Sequence, residues 1–394
     1  MTPTRRAFVL GLTASLVASP LAAKPGFNAW IRRFRKRAAK AGISNATLDT
    51  AFAGVKRLPR IVANDNKQAE TARSLQDYLA TAASSARLSG GKKALARHKS
   101  LLARIEKTFG VEKEVVVAIW GMESSFGRFR GSTPVISALA TLAHDGRRAD
   151  LFEAELLAAL RILESGDISP AAMKGSYAGA MGHTQFMPST FLQYAVDFDG
   201  DGRRNIWSDD PTDALASTAA LLKAEGWRKS RPWAIEITLP KGFDPALTGR
   251  VFPRKTSDWR KLGVKTPAGQ LPDHGPGAII LPAGPTGPAL MIYNNFHVLK
   301  KYNYADSYVI GVGHLSDRLS GGGKIRSGFP RNPWGMTTPE RVKLQKRLNA
   351  RGFNAGRPDG VIGEKGRAAI RAFERKSGLR ETGVPSKSLL ERLK

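Results

Sequence analysis

The chain has 394 residues, 42% of them hydrophobic, and a formal net charge of +29. That apolar content supports two or three packed domains and excludes a disordered chain. The absence of cysteine rules out a disulfide, a thiolate zinc site and a cysteine nucleophile, and the charge calls for an acidic partner such as nucleic acid, an anionic membrane or an anionic cell-wall polymer.

Residues 1–23 read as a cleaved signal peptide. Thr4-Arg5-Arg6-Ala7-Phe8 leads into an apolar run from Val9 to Ala23 that ends in small residues. The paired arginines followed by Phe8 resemble a twin-arginine export signal, with a Sec-type signal as the alternative. The run is too short and too rich in Ala and Ser to span a membrane. Without a cysteine to carry lipid, no stable membrane anchor is expected. An exported, soluble, periplasmic protein has little use for nucleic acid, and no nucleic-acid motif is present. The cell wall becomes the expected acidic partner.

Residues 26–110 read as helical, and 111–125 as a strong helix. Two more helices are expected over 134–144 and 150–165. Asp150 would cap the second, with Glu153 completing a capping-box pair. Phe152, Leu156, Leu160 and Leu163 form its apolar stripe. Asp210-Pro211 opens another helix, with Pro at its first position, and Gly226 ends it. From Trp233 the pattern changes. Residues 234–239 alternate like a strand, and 278–281 and 289–293 flank a Gly/Pro turn as a hairpin. Residues 297–319 return to a helical pattern. Ser320-Gly321-Gly322-Gly323 opens a polar stretch, 320–336, that reads as a flexible linker.

The last stretch, 337–394, reads as a separate three-helix module. Its marks are Leu344-Gln345, Leu348, Gly352, Asp359-Gly360, Gly363, Phe373 and Gly378-Leu379. The pattern resembles the peptidoglycan-binding domain appended to many wall hydrolases; a generic helical bundle is the alternative.

Chemistry concentrates around Glu123, in Trp120-Gly121-Met122-Glu123-Ser124-Ser125-Phe126-Gly127. Val116, Trp120 and Glu123 fall on one helix face that is otherwise apolar. A carboxyl group there is desolvated, and its pKa rises toward the value a general acid needs near neutral pH. The end of a helix is also a poor place for a carboxylate, because the helix dipole puts negative charge there.

Glu-Ser-Ser-Phe-Gly after an apolar helix resembles the signature of lysozyme-like lytic transglycosylases. Residues 175–189, Gly-Ser-Tyr-Ala-Gly-Ala-Met-Gly-His-Thr-Gln-Phe-Met-Pro-Ser, and the following Asp197-Phe198-Asp199-Gly200-Asp201-Gly202 narrow the resemblance. Together they are similar to the family of membrane-bound lytic transglycosylase B and its soluble relatives, over about 28–319. His183-Thr184 departs from that family's pattern and bears on the shape of one subsite. The resemblance implies a mainly α (α+β) fold. A lysozyme-like catalytic domain over 26–319 would carry a small β-containing insertion, followed by the linker and the C-terminal module.

The resemblance also implies a reaction. Glycosidases usually use two carboxylates, and the Glu123 and 176–185 motifs contain one. Glu123 would protonate the glycosidic oxygen between N-acetylmuramic acid and N-acetylglucosamine. The sugar's 2-acetamido group would stabilise C1. Glu123 would then take the proton of the C6 hydroxyl as it attacks, leaving a 1,6-anhydromuramyl end. A hydrolysing muramidase and a non-catalytic wall-binding protein are the alternatives. Carried over by resemblance, Ser176, Tyr177, Gln185, Tyr78, Asn295, Tyr302 and Asn303 would line the sugar site. No cofactor is required. Asp197, Asp199 and Asp201 have the spacing that opens an EF-hand loop, and the resemblance implies a later acid that closes a weak structural calcium or sodium site, Asp213 being the best candidate and Asp209 and Asp210 its rivals. Arg203 and Arg204 inside the loop weaken cation binding, and one of them closing an Asp/Gly turn is the alternative. The expected partners are peptidoglycan glycan strands, and other cell-wall enzymes besides.

Overall fold

A computed structural model describes residues 26–67 and 74–394. The signal-peptide reading of residues 1–23 falls outside the described residues. No helix among the described residues is long and apolar enough to cross a membrane.

The first expectation, a helical stretch to residue 110, resolves into six helices among the described residues. These are α1 (Phe27–Lys40), α2 (Asn45–Phe52), α3 (Pro59–Lys67), α4 (Leu75–Ala82), α5 (Ser85–Arg97) and α6 (Lys99–Phe109). Serines at 44, 74 and 84 cap α2, α4 and α5 by accepting backbone N–H groups. The helix carrying Glu123, α7 (Lys113–Ser124), is buried along most of its length. A helix apolar all round must be wrapped by others. Here α4, α5, α6, α11 (Thr212–Ala224) and α14 (Asp306–Leu319) do so, directly or through their neighbours.

Beyond α7, a two-residue ladder pairs β1 (Thr133–Pro134) with β2 (Lys174–Gly175). Between them, α8 (Val135–Asp145) and α9 (Ala149–Glu164) pack against each other, and α10 (Pro188–Tyr194) leans on α9. The stripe of Phe152, Leu156, Leu160 and Leu163 is buried as expected. The expected cap is not formed: Arg148 occupies the N-cap position of α9 with no side-chain capping bond, and Asp150 lies in the first turn. Likewise Pro211 caps α11 instead of occupying its first turn, because Asp210 accepts the Thr212 amide at 2.9 Å.

The β-containing insertion has its own core. β3 (Ala234–Ile237), β6 (Ala278–Ile280) and β7 (Ala289–Ile292) form an antiparallel sheet in the order β3-β7-β6. β4 (Lys265–Thr266), β5 (Gly269–Gln270) and α12 (Thr256–Lys261) complete it around the fully buried Trp259. The chain then returns through α13 (Asn294–Tyr302) to α14. The expected continuous helix over 297–319 is broken, because Asn303 is extended and its Oδ1 accepts the Ala305 amide at 3.1 Å.

Residues 320–336 do not behave as the flexible linker read from the sequence. Glu236 of β3 accepts the amides of Arg326 and Ser327 at 2.8 and 2.7 Å, and Trp334 packs on the insertion core. The terminal module is α15 (Thr338–Ala350), α16 (Glu364–Lys376) and α17 (Lys387–Arg392) around Leu344, Leu348, Ile370 and Leu393. Thr337 and Glu340 form a capping box at the start of α15. The Leu-Gln mark has a structural cause. Gln345 receives the Gly360 amide at 2.7 Å and donates to the Arg357 carbonyl at 2.8 Å, folding the Asp-Gly turn onto the helix.

Close packing between α14 and the insertion yields a first prediction. A methyl group at Gly313 would lie 2.2 Å from the buried Trp233 ring. Gly313→Ala should cost about 1–3 kcal/mol through overpacking, read as a lower urea midpoint for the full chain.

Candidate active site

Helix α7 ends one residue past Glu123, and the chain leaves it through an unusual turn. Ser125 and Phe126 both adopt left-handed backbone, with φ of 51° and 62°. Such positions cost about 1–3 kcal/mol each in non-glycine residues and persist only where the surroundings hold them. Ser124 supplies part of that hold. Its Oγ donates to the His183 carbonyl at 2.5 Å and accepts the Gly127 amide at 2.9 Å. The Phe126 ring folds back onto α7 and α5, where a Cβ at Gly121 or Gly90 would come within 2.7 or 2.6 Å of it. Glu-Ser-Ser-Phe-Gly is therefore a device for stopping α7 directly after Glu123.

Glu123 is half-buried on the α7 surface that faces α14. Tyr308, in the first turns of α14, donates its hydroxyl to Glu123 Oε1 at 2.5 Å. Burial raises the Glu123 pKa to about 7, and the Tyr308 bond opposes that rise. No second carboxylate among the described residues acts on its ionisation. Tyr78 and Tyr302 stand close enough for Glu123 to raise their own pKa values. Burial is the larger cause for both, carrying Tyr78 to about 12 and Tyr302 well above its ordinary value. Tyr302 and Tyr308 stack with ring centres 6.4 Å apart, and Tyr78 lies against α14 at Gly311. The Tyr302 hydroxyl donates to the Thr184 carbonyl at 2.5 Å. One tyrosine thus bonds the carboxyl group, and two more lie within reach of its charge.

The segment 175–189 forms the other wall. Ser176 Oγ accepts the Ala180 amide at 3.0 Å and shapes the turn. Tyr177 is partly buried against the main core, and burial raises its pKa. Gln185 sits in left-handed backbone with φ of 54°. Its amide nitrogen donates to the carbonyls of Arg130 and Gly182 at 3.0 and 2.9 Å. His183 and Thr184, the departure noted in the sequence, are buried. His183 Nδ1 accepts the Trp120 indole N–H at 3.1 Å, and Nε2 bonds the Ser208 carbonyl at 2.7 Å. Burial lowers the His183 pKa, which suits this neutral tautomer. The departure therefore serves to fasten the wall to α7, and neither side chain is presented to a ligand.

One expected site residue is taken up by the scaffold. Asn295 is 0% exposed. It accepts the Arg228 amide at 2.9 Å and donates to the Arg228 and Arg231 carbonyls at 2.9 and 2.8 Å. Every polar group it has is spent on backbone, so it is a structural clamp and not a sugar ligand. Asn303 bends the chain between α13 and α14, as described above. No local sequence pattern points to Tyr308. In a continuous helix, residues 302 and 308 would lie about 120° apart around the axis; the break at Asn303 brings them together.

Asp197, Asp199 and Asp213 bring one carboxylate oxygen each within 4.8 Å of one another. Asp201 is outside this group and accepts the Arg203 amide at 2.8 Å. Arg204 does not close the loop either, because its guanidinium donates to Asp167 at 2.6 Å. Asp213 is buried, accepts the Phe198 and Asn205 amides at 2.8 Å each, and has its pKa raised mainly by burial. Three converging hard oxygens, one of them disfavoured as an uncompensated anion, fit a calcium-like ion.

Residues 26–317 match the family described as Transglycosylase SLT domain, and residues 337–393 the one described as Putative peptidoglycan binding domain. The chain is similar to membrane-bound lytic murein transglycosylase B of Escherichia coli (strain K12), with 34% identity over 226 residues. That match covers 57% of this chain and 61% of the relative's length. Among solved structures, SltB3 from Pseudomonas aeruginosa, in complex with NAG-anhNAM-pentapeptide, is 44% identical. It covers 93% of this chain and 99% of its own, with a TM-score of 0.83. The Escherichia coli lytic transglycosylase Slt35 in complex with calcium is 30% identical, covering 76% and 94%, with a TM-score of 0.63. The lysozyme-like, mainly helical fold expected from the sequence is thereby established.

The Asn295 correction makes a prediction. Asn295→Ala strands three buried backbone groups and should cost about 1–3 kcal/mol in denaturant unfolding. The KM of the folded enzyme should stay unchanged; a raised KM at unchanged stability would return Asn295 to the sugar site.

Proposed function

The chain belongs to the transglycosylase SLT-domain family, and we propose that it is a periplasmic lytic transglycosylase that cleaves the MurNAc–GlcNAc β-1,4 bond of peptidoglycan. The observation that carries this reading is the Glu123 carboxyl, which burial and a tyrosine hydroxyl act on and no second carboxylate among the described residues does. A hydrolase of the usual kind needs two carboxylates, about 5–9.5 Å apart, to protonate the leaving oxygen and to supply or activate the nucleophile. Here one buried carboxyl, protonated up to about pH 7, meets tyrosine hydroxyls instead.

The sequence of events follows from that chemistry. Glu123 gives its proton to the glycosidic oxygen, and the C1–O bond breaks. The neighbouring 2-acetamido oxygen of the same sugar closes on C1 and carries the positive charge. Glu123, now a carboxylate stabilised by the Tyr308 hydroxyl, takes the C6 hydroxyl proton. O6 attacks C1, the acetamido group leaves, and a 1,6-anhydro ring forms without consuming water. That P. aeruginosa SltB3 binds NAG-anhNAM-pentapeptide, the kind of end this reaction leaves, supports the assignment. Ser176, Tyr177, Gln185, Tyr78, Tyr302 and Asn303 are proposed to line the sugar path. Asp197, Asp199 and Asp213 are proposed to hold a structural calcium that stiffens the 197–205 loop, by analogy with the calcium complex of Slt35.

Export rests on residues 1–23, and wall retention on the basic surface and the 337–394 module. Peptidoglycan carries stem-peptide carboxylates, so retention by charge should weaken with salt.

Mass spectrometry of digested sacculi tests the reaction. Anhydromuramyl ends are expected, and reducing ends in their place would favour the muramidase reading. Glu123→Gln should abolish turnover while leaving the fold intact. Because Glu123 must enter protonated, kcat/KM should fall as pH rises through about 7. Removing residues 337–394 should reduce pull-down by sacculi.

A further inference from the structure

A chain of short contacts runs from the C-terminal module to Glu123. Arg367 of α16 is 5% exposed. Its Nη1 donates to Thr248 Oγ1 at 2.8 Å, its Nη2 to the Pro245 carbonyl at 3.1 Å, and its Nε to the Gly383 carbonyl at 3.2 Å. Trp334 lies 5.8 Å from the guanidinium carbon. Burial lowers its pKa to about 10. A guanidinium withdrawn from water and bonded only to neutral acceptors is tolerated where its N–H groups are satisfied. It therefore marks a fitted joint between the module and the insertion. Arg371, one turn further along α16, lies over Phe252 of the same loop at 5.2 Å.

That loop continues directly to the site. Two residues past Thr248, Arg250 Nη1 donates to Asp306 Oδ1 at 2.5 Å, and Lys300 Nζ bonds the same oxygen at 2.7 Å. Asp306 is the first residue of α14, so these cations fix the end of the helix from which Tyr308 projects. Two residues past Asp306, Tyr308 meets Glu123 at 2.5 Å. We propose that the Arg250–Asp306 pair, braced from the C-terminal module by Arg367 on Thr248, is a positioning device that holds Tyr308 against Glu123. Seating of the wall-binding module then sets the readiness of the acid. The functional consequence rests on the acid/base reading of Glu123 given above.

The sign of the effect follows from the bond. A hydroxyl donating to a carboxylate favours the ionised form. Loosening Tyr308 therefore raises the Glu123 pKa further and weakens the carboxylate's stabilisation after proton transfer. The groups facing Glu123 are Tyr308 from α14, Tyr302 from the end of α13 and Tyr78 from α4, with Arg87 of α5 beside Tyr78. All three tyrosines are held above their ordinary pKa. None of them loses its proton where Glu123 titrates.

The test uses the full chain labelled with carboxyl-¹³C glutamate, titrated by NMR, alongside pH profiles of kcat and KM on sacculi. Glu123→Gln identifies the Glu123 resonance and checks the acid/base reading separately; turnover surviving that change would overturn the reading while the titrations still decide the positioning. Tyr308→Phe should move the Glu123 titration to higher pH. Arg250→Gln and Arg367→Met should move it the same way by less, lowering kcat with KM little changed. Arg250→Lys should restore part of the wild-type position. Tyr308→Phe combined with Arg250→Gln should match Tyr308→Phe alone, because both act on one bond. A Glu123 titration unmoved in Arg250→Gln or Arg367→Met, or shifts that add fully in the double variant, would overturn the proposal.

Discussion

A carboxyl group is placed in this protein where neither solvent nor the helix beneath it favours its charge. Glu123 stands at the negative end of α7, half-buried, and no cation among the described residues is bonded to it. Desolvation favours its protonated form, and one tyrosine hydroxyl favours its charged form. Much of the surrounding architecture follows from keeping that balance. α7 must be buried to desolvate the group. It stops one residue later, at Ser124. α14 must pass close by to bring Tyr308.

The stop is the costly part. Two successive left-handed residues at 125 and 126 are held by Ser124, by the ring of Phe126 in the notch at Gly121, and by the carbonyl of His183. His183 in turn binds Trp120 and the Ser208 carbonyl. The turn after Glu123 and the 175–189 wall are thus one hydrogen-bonded unit. Strain concentrated at Ser125, Phe126 and Gln185 is what such a site is expected to store.

The polar interior is specific in a second way. Asn295, Gln345, Arg341 and Arg367 are buried polar side chains, and each bonds at least one backbone carbonyl of another segment or loop. Arg367 does this across the boundary between the module and the insertion, so the two share a joint as well as a chain.

Much was legible from the sequence because it depends on neighbours in the chain. The α7 periodicity, the apolar stripe of α9, the hairpin around Gly284 and the three-helix module are short-range patterns. Glu123 stood out because a carboxylate conflicts locally with an apolar helix end. What sequence could not carry was set by contacts over long separations. Tyr308 reaches Glu123 across 185 positions, and only the break at Asn303 aims it there. Asn295 resembled a polar cleft residue until its backbone partners, 64–67 positions away, claimed all of its bonds. The Gly-rich 320–336 stretch has a linker's composition, yet Glu236 and the insertion core hold it in place. Composition fixes what a segment can do alone; the free energy of burial and of pairing distant polar groups decides what it does in the folded chain.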